Sequence, residues 1–321
     1  MAGLLSNIDP NGHLEYSVVY TDRSLNHMSE SFQEVMKDIS QSLKKVYNAE
    51  AVIVVPGSGT FGMEAVARQF ATNKKCMVIR NGFFSYRWTQ IFEMGNIPSE
   101  SKVLKARQIE EGKQASFAPA PLEEVIANIK SFKPDVVFAP HVETSAGMIL
   151  PDSYISAVSK AVHEVGGLFV LDCIASGTIW VDMKKCGVDV LISAPQKGWS
   201  ASPCCALVML GEEGKKKLNT TTSTSFSCDL KKWHQIMEAY EKGGHAYHAT
   251  MPTDSLKTFR SAMNEAIDYG LQKVKNDQEV LGQKIRDLLE EKGIKSLAAK
   301  GFQAPGVIVS YTDDPGVKTG K

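Results

Sequence analysis

The sequence predicts an α/β protein with a mainly parallel central sheet sandwiched by helices. Short, wholly apolar, β-branched runs recur along the chain, and segments of helical period separate them. Polar residues with chemical potential stand just after several of these runs. Strands apolar on both faces need cover on both sides, which helices crossing between parallel strands supply. At about one domain per 150 residues, the 321-residue length suggests two domains.

The first 25 residues are irregular, with Asp9-Pro10-Asn11-Gly12 as a turn cluster. Residues 29–47 carry apolar side chains at 32, 35, 36, 39, 43 and 46, a helical period. AVIVV (51–55) reads as a buried strand, and Gly57-Ser58-Gly59 leads into a helix over 60–72. CMVIR (76–80) is a strand and 88–95 a helix; 121–132 is a helix entered at a proline. DVVFAP (135–140) is a strand, 153–165 an amphipathic helix, and GLFVLD (167–172) a strand. VDVLISA (188–194) and CALVML (205–210) are further apolar strands. From 254 the texture changes to a long helical pattern reaching about 292, then a strand at 306–311. The expected organisation is an arm over 1–25, a large domain over 26–254, and a smaller C-terminal α/β domain over 255–321 that looks partial.

Lys and Arg total 36 and Asp and Glu total 36, so the formal charge is zero. That balance gives no long-range attraction to nucleic acid or an acidic membrane, leaving a small molecule as the expected partner. No apolar stretch approaches the ~20 residues of a membrane helix. The N-terminus lacks the basic and apolar regions of a secretory signal. Six cysteines follow no C-x-x-C spacing, which suits small buried residues in a reducing, cytoplasmic setting.

Gly57-Ser58-Gly59-Thr60-Phe61-Gly62 matches G-x-G-x-x-G in the strand-to-helix context of a dinucleotide site. The acid expected about 20 residues on is missing. Arg80 and Asn81 stand there, which would at best suit NADP. A turn that merely lets helix and strand pack closely is a second reading. Common to the functional readings is an anion pocket, because backbone N–H groups and the helix dipole favour a phosphate at Ser58-Gly59-Thr60.

Ligands of open parallel sheets bind at the carboxyl ends of the strands. Those ends carry Ser58-Gly59-Thr60, Asn81-Gly82-Phe83-Phe84, His141-Val142-Glu143-Thr144-Ser145, Asp172, and Gln196-Lys197. A phosphate pocket, a flat aromatic, an acid and a lysine together describe a pyridoxal phosphate site. Lysine forms an imine with an aldehyde, and burial makes its free amine accessible. A carboxylate keeps the pyridine nitrogen protonated, so the ring accepts electrons from a carbanion.

The segments PGSGTFGMEA, NGFFSYR, HVETSAG, LDCIAS and SAPQKG resemble the class V aminotransferases of pyridoxal-phosphate fold type I. The likeness is strongest to the alanine–glyoxylate, serine–glyoxylate and serine–pyruvate group, and runs from about Asn26 to about residue 255. The resemblance implies that Lys197 carries the cofactor as an imine and shuttles the α-proton, while Gln196 helps hold the phosphate. It implies that Asp172 pairs with the pyridine nitrogen, Ile174 presses one ring face and Phe84 stacks on it. Ser58, Gly59 and Thr60 would bind phosphate, and Thr144 would reach the phenolic oxygen. Tyr247 and Thr250, in GHAYHATMP, would enter the neighbouring subunit's site, implying a homodimer. Three departures stand against this: LEYSVVYTDRSLNHMS replaces the usual glycine–proline opening, Ser202-Pro203-Cys204 replaces a Pro-Pro-Gly turn, and no substrate-clamping arginine matches before Lys321. Arg87 reads chiefly as a surface residue. The implied reaction moves an amino group between alanine or serine and glyoxylate or pyruvate by a ping-pong mechanism. Alternatives are an aminoethylphosphonate transaminase, a desulfurase or lyase of the same fold, and an NADP-binding oxidoreductase.

Overall fold

A computed structural model describes residues 25–318. The expected arm therefore lies outside the described residues except for Leu25, as does most of the departing N-terminal motif. In chain order the first elements are α1 (Glu30–Tyr47), β1 (Ala51–Pro56), α2 (Gly59–Phe70), β2 (Lys75–Arg80), α3 (Phe83–Gly95) and β3 (Glu100–Lys105). Two-residue strands β4 (Arg107–Gln108) and β5 (Phe117–Ala118) precede α4 (Leu122–Phe132) and β6 (Val136–Pro140). Then come β7 (Val142–Glu143), β8 (Met148–Ile149), α5 (Asp152–Glu164), β9 (Leu168–Asp172) and the single turn α6 (Met183–Cys186). The remainder is β10 (Val190–Ser193), β11 (Cys205–Leu210), α7 (Glu212–Thr220), α8 (Leu230–Glu241), α9 (Thr253–Tyr269), α10 (Leu271–Glu291) and α11 (Pro315–Lys318).

These elements form two compact units interleaved along the chain, one of residues 25–72, 182–184 and 189–268, the other of 73–181, 185–188 and 269–318. In the first unit, β1, β11 and β10 lie side by side in that order. β11 runs antiparallel to both neighbours, with Pro56 opposite Cys205 and Ser193 opposite Leu207. All six residues of β11 are buried. At about 1.5–3 kcal/mol per buried aliphatic side chain, such a run is stable only inside the fold. α1 starts where the Ser29 side chain accepts a hydrogen bond from the Phe32 N–H, and it buries Phe32, Val35, Met36, Ile39 and Leu43. Phe32 meets Tyr240 of α8 edge-on at 5.6 Å, and Lys44 reaches Glu241 at 2.7 Å.

The glycine pattern has a packing role in this unit. A Cβ at Gly62 would lie 2.4 Å from the Cβ of Ala206, so α2 rests on β11 at glycine distance. Gly57 has φ +121°, a conformation that side chains resist. Gly62→Ala is expected to destabilise the chain by roughly 1–3 kcal/mol through overpacking. Alanine's helix preference of about 1 kcal/mol offsets part of this. Urea unfolding checks it, and a variant as stable as wild type would mean that α2 shifts freely on β11.

In the second unit, β9, β6, β2 and β3 lie in that order and all run parallel. α3 packs its inner face on β6, with Trp88 4.5 Å and Phe92 5.2 Å from the ring of Phe138. The expected α/β class therefore holds: these four strands are parallel, and the unit's short pairs β4–β5 and β7–β8 are antiparallel.

Three expectations need correction. β11 is antiparallel, because a short apolar run says nothing about strand direction. The long pattern from 254 is two helices, broken at Gly270, whose φ of +101° lies outside helical space. The expected strand at 306–311 is irregular, with an isolated bridge between Ser296 and Ser310 and Val307 O accepting from Arg286 Nη2 at 3.1 Å. All six cysteines are buried free thiols. No helix among the described residues is long and apolar enough to cross a membrane.

Candidate cofactor site

In the first unit, the carboxyl ends of β1 and β10 lie at one edge, because both pair with the first half of β11. With strands about 4.8 Å apart, the turns that follow them stand roughly 10 Å from each other. After β1, Ser58 is the N-cap of α2 in an extended conformation, and its side chain makes no cap hydrogen bond. No acidic residue occupies the first turn of α2, leaving the positive end of its dipole uncompensated there. Gly59 is buried, while Ser58 and Thr60 are half-buried.

After β10, residues 195–199 form a turn closed by Ser200 N donating to Lys197 O at 3.1 Å and Ala201 N donating to Pro195 O at 3.1 Å. Trp199 fills the interior side of this turn, edge-on to Phe259 at 6.3 Å. Lys197 points the other way and is exposed, so its own turn does not supply the burial expected of it. Gln196 is half-buried, and its Oε1 has no hydrogen-bond partner among the described residues. Tyr247 and Thr250 are exposed between α8 and α9, with the Tyr247 ring 5.5 Å from that of His27.

In the second unit, Asp172 ends β9 opposite Pro140 of β6, and His141 N donates to Asp172 O at 2.8 Å. The Asp172 side chain is buried, and its Oδ1 accepts from Ile174 N at 2.9 Å. Burial pushes its carboxyl up to about 6; the Ile174 hydrogen bond opposes this, the charge of Glu143 adds to it, and Arg87 opposes it. His141 is also buried, held by Ser176 Oγ at 2.6 Å from its Nδ1. Desolvation, with a smaller push from Lys275, lowers it to about 4, so it is neutral at pH 7.

Phe84 sits in the first turn of α3 and is 38% exposed, enough free ring to stack on a flat ligand. Arg87, one turn on, lies over that ring at 5.2 Å. Its charge also acts on Asp172, so Arg87 belongs to this cluster rather than to a remote surface. Thr144 is half-buried in the turn between β7 and β8. Beside it stands a residue to which the motif reading assigned no role: Glu143 caps α3, accepting from Phe84 N at 3.0 Å and Ser85 N at 2.9 Å. Its sequence signal was an acid in the polar cluster that follows a buried strand, and its partners lie 58 and 59 residues away.

Each unit thus offers part of a donor set that suits pyridoxal phosphate. The first holds a helix terminus suited to an anion, a lysine and a half-buried amide. The second holds a buried carboxylate whose hydrogen bond to Ile174 uses one oxygen, and the exposed Phe84 ring under Arg87. An acid raised to about 6 by burial is poised to regain its charge against a protonated ring nitrogen.

Known proteins give the same answer. The model of the aminotransferase class-V family matches residues 12–308. Alanine–glyoxylate aminotransferase 1 of Saccharomyces cerevisiae is 28% identical over 268 residues, 78% of this chain and 66% of that protein. A 2-aminoethylphosphonate–pyruvate transaminase of Syntrophobacter fumaroxidans is 26% identical over 290 residues, 87% of this chain and 72% of that protein. The chain spans less than two thirds of the length of several alanine–glyoxylate aminotransferases that it matches. The crystal structure of alanine–glyoxylate aminotransferase from Nostoc sp. superposes with a TM-score of 0.78 at 20% identity, covering 91% of this chain and 74% of that one. That likeness shows the fold, which is pyridoxal-phosphate fold type I, and the family's cofactor is pyridoxal phosphate. The chain belongs to the class V aminotransferase family.

Proposed function

We propose that this chain serves a transaminase that moves an amino group between a small amino acid, alanine or serine, and a small 2-oxo acid, glyoxylate or pyruvate. The observation that carries the reading is Asp172: a buried carboxylate at a strand's carboxyl end, raised to about 6 and sensing the charge of Arg87, which lies over the Phe84 ring. Residues 26–254 would form the cofactor-binding domain and 255–321 part of a smaller one.

Bound pyridoxal phosphate supplies an electron sink for the carbanion formed at the donor's α-carbon. Ser58, Gly59 and Thr60 would hold its phosphate on the α2 terminus, with Gln196 donating beside them. Asp172 would hold the ring nitrogen's proton, Ile174 and Phe84 would fix the ring between them, and Thr144 would meet the phenolic oxygen. Lys197 would bind the cofactor covalently, yield to the donor amine, take the α-proton at Nζ and return it to the cofactor carbon. Water would then release the 2-oxo acid, and the acceptor would take up the amino group through the same steps in reverse, which would give ping-pong kinetics. Tyr247 and Thr250 would reach the phosphate of a second copy, making the working form a homodimer, and a cytoplasmic location agrees with the six free thiols.

Purified protein reconstituted with pyridoxal phosphate is expected to show a visible absorption band that borohydride bleaches. A colourless chain that binds NADP instead would overturn the proposal. A panel of amino donors and oxo acids then separates alanine or serine with glyoxylate or pyruvate from aminoethylphosphonate.

A further inference from the structure

Glu143 is fully buried at 0% exposure, and none of the steps above uses it. Its carboxylate is nonetheless the most heavily bonded side chain near Phe84. Oε1 accepts from Phe84 N at 3.0 Å, Ser145 N at 3.2 Å and Ser145 Oγ at 2.6 Å. Oε2 accepts from Ser85 N at 2.9 Å and Ser85 Oγ at 2.6 Å. Three of these five donors belong to the first turn of α3, where N–H groups have no helical partner and the dipole favours negative charge.

The surrounding backbone is shaped to this carboxylate. Gly82 is extended, so its conformation suits any residue, yet a Cβ there would lie 2.8 Å from Glu143 Cδ and 2.3 Å from Ser145 Oγ. Ser145 Oγ also accepts from Phe83 N at 2.9 Å, and Ser85 Oγ from Gly82 N at 3.1 Å. The whole turn that presents Phe84 is therefore tied to one acid from a distant part of the chain.

We propose that Glu143 is a positioning residue for the cofactor ring, locking the first turn of α3 so that Phe84 keeps one stacking orientation. This rests on the reading of Phe84 as the ring-stacking residue. Glutamate suits the task because both of its oxygens face backbone N–H donors. In Glu143→Gln the amide nitrogen must face one of those donors, whichever way the amide turns. Glu143→Asp keeps two acceptors and the charge but is one methylene shorter.

The test compares wild type, Glu143→Gln, Glu143→Asp and Ser85→Ala, each checked for native far-ultraviolet circular dichroism. Hydrogen exchange of residues 82–87 is read on the cofactor-free chain. Visible circular dichroism and affinity are read with pyridoxal phosphate added. Glu143→Gln is expected to exchange at least about tenfold faster there, as losing one charge-assisted hydrogen bond implies. It should also bind the cofactor about tenfold more weakly with a diminished visible signal. Glu143→Asp should recover part of each change. Ser85→Ala removes one donor to Glu143, keeps the charge and also takes the acceptor from Asn81 N and Gly82 N. Read at Phe84 N and Ser85 N, which bond Glu143 directly, it should show a smaller change in the same direction, and it decides the matter if Glu143→Gln does not fold. Wild-type exchange and an unchanged visible signal in the folded variants overturn this proposal alone. A wild-type chain that gains no borohydride-sensitive band overturns the cofactor reading and this proposal with it.

Discussion

Replacing Lys197 by alanine is expected to lower transaminase turnover by about 10⁴-fold or more, since in the proposed mechanism one side chain would supply both the covalent tether and the proton shuttle. The position follows from register: β10 ends at Ser193, and the turn over 195–199 directs Trp199 inward and Lys197 outward. The proposed phosphate turn at Ser58-Gly59-Thr60 is untouched by the substitution, so noncovalent cofactor binding should survive. Borohydride should then fix no cofactor to the peptide containing position 197, and a small exogenous amine should restore part of the activity. Wild-type turnover in the alanine variant, or borohydride labelling at another lysine, would assign the role elsewhere.

Asp172→Asn is expected to stabilise the cofactor-free chain while disabling it. The carboxyl titrates at about 6 in the fold against an ordinary value of 3.8, chiefly because it is buried. A folded state that holds a proton more tightly than the unfolded chain gains stability from it in full below about pH 4, and loses that gain as pH rises through about 6. At pH 8 the wild type therefore carries a buried charge costing about 3 kcal/mol, which asparagine removes while still accepting from Ile174 N. Urea unfolding without cofactor should show the variant more stable at pH 8 and equal to wild type near pH 4. Equal stability at both pH values would remove the buried-charge argument. Turnover in the loaded variant should fall by about 10²-fold or more, because a neutral amide no longer balances a protonated ring nitrogen.

How much was legible beforehand can be judged from particular elements. α1 was readable almost to the residue, since Ser29 is a good cap and its apolar residues keep a helical period over eighteen positions. α3 was read as starting near 88, five residues late, because its first turn depends on Glu143 and Ser145, distant in sequence, as well as on the local Ser85 hydroxyl. β3, with only Leu104 buried, offered no apolar run to notice. Among the candidate residues, Ser58, Asp172 and Lys197 could be proposed because each directly follows or ends a buried strand. Glu143 stood in the polar cluster after β6 but nothing local gave it a role, and Arg87 was read chiefly as a surface residue although it lies over Phe84.

The sequence alone determined the α/β class, the position of most buried strands and the residue types standing at their carboxyl ends. These are properties of local pattern: apolar runs must be buried, and helices cover them. Only the tertiary structure decided that β11 runs antiparallel, that α2 approaches it at glycine distance, and that a buried glutamate holds the turn bearing Phe84. Strand direction, close approach and long-range capping depend on partners brought together by folding. No window of sequence contains both partners of such a contact.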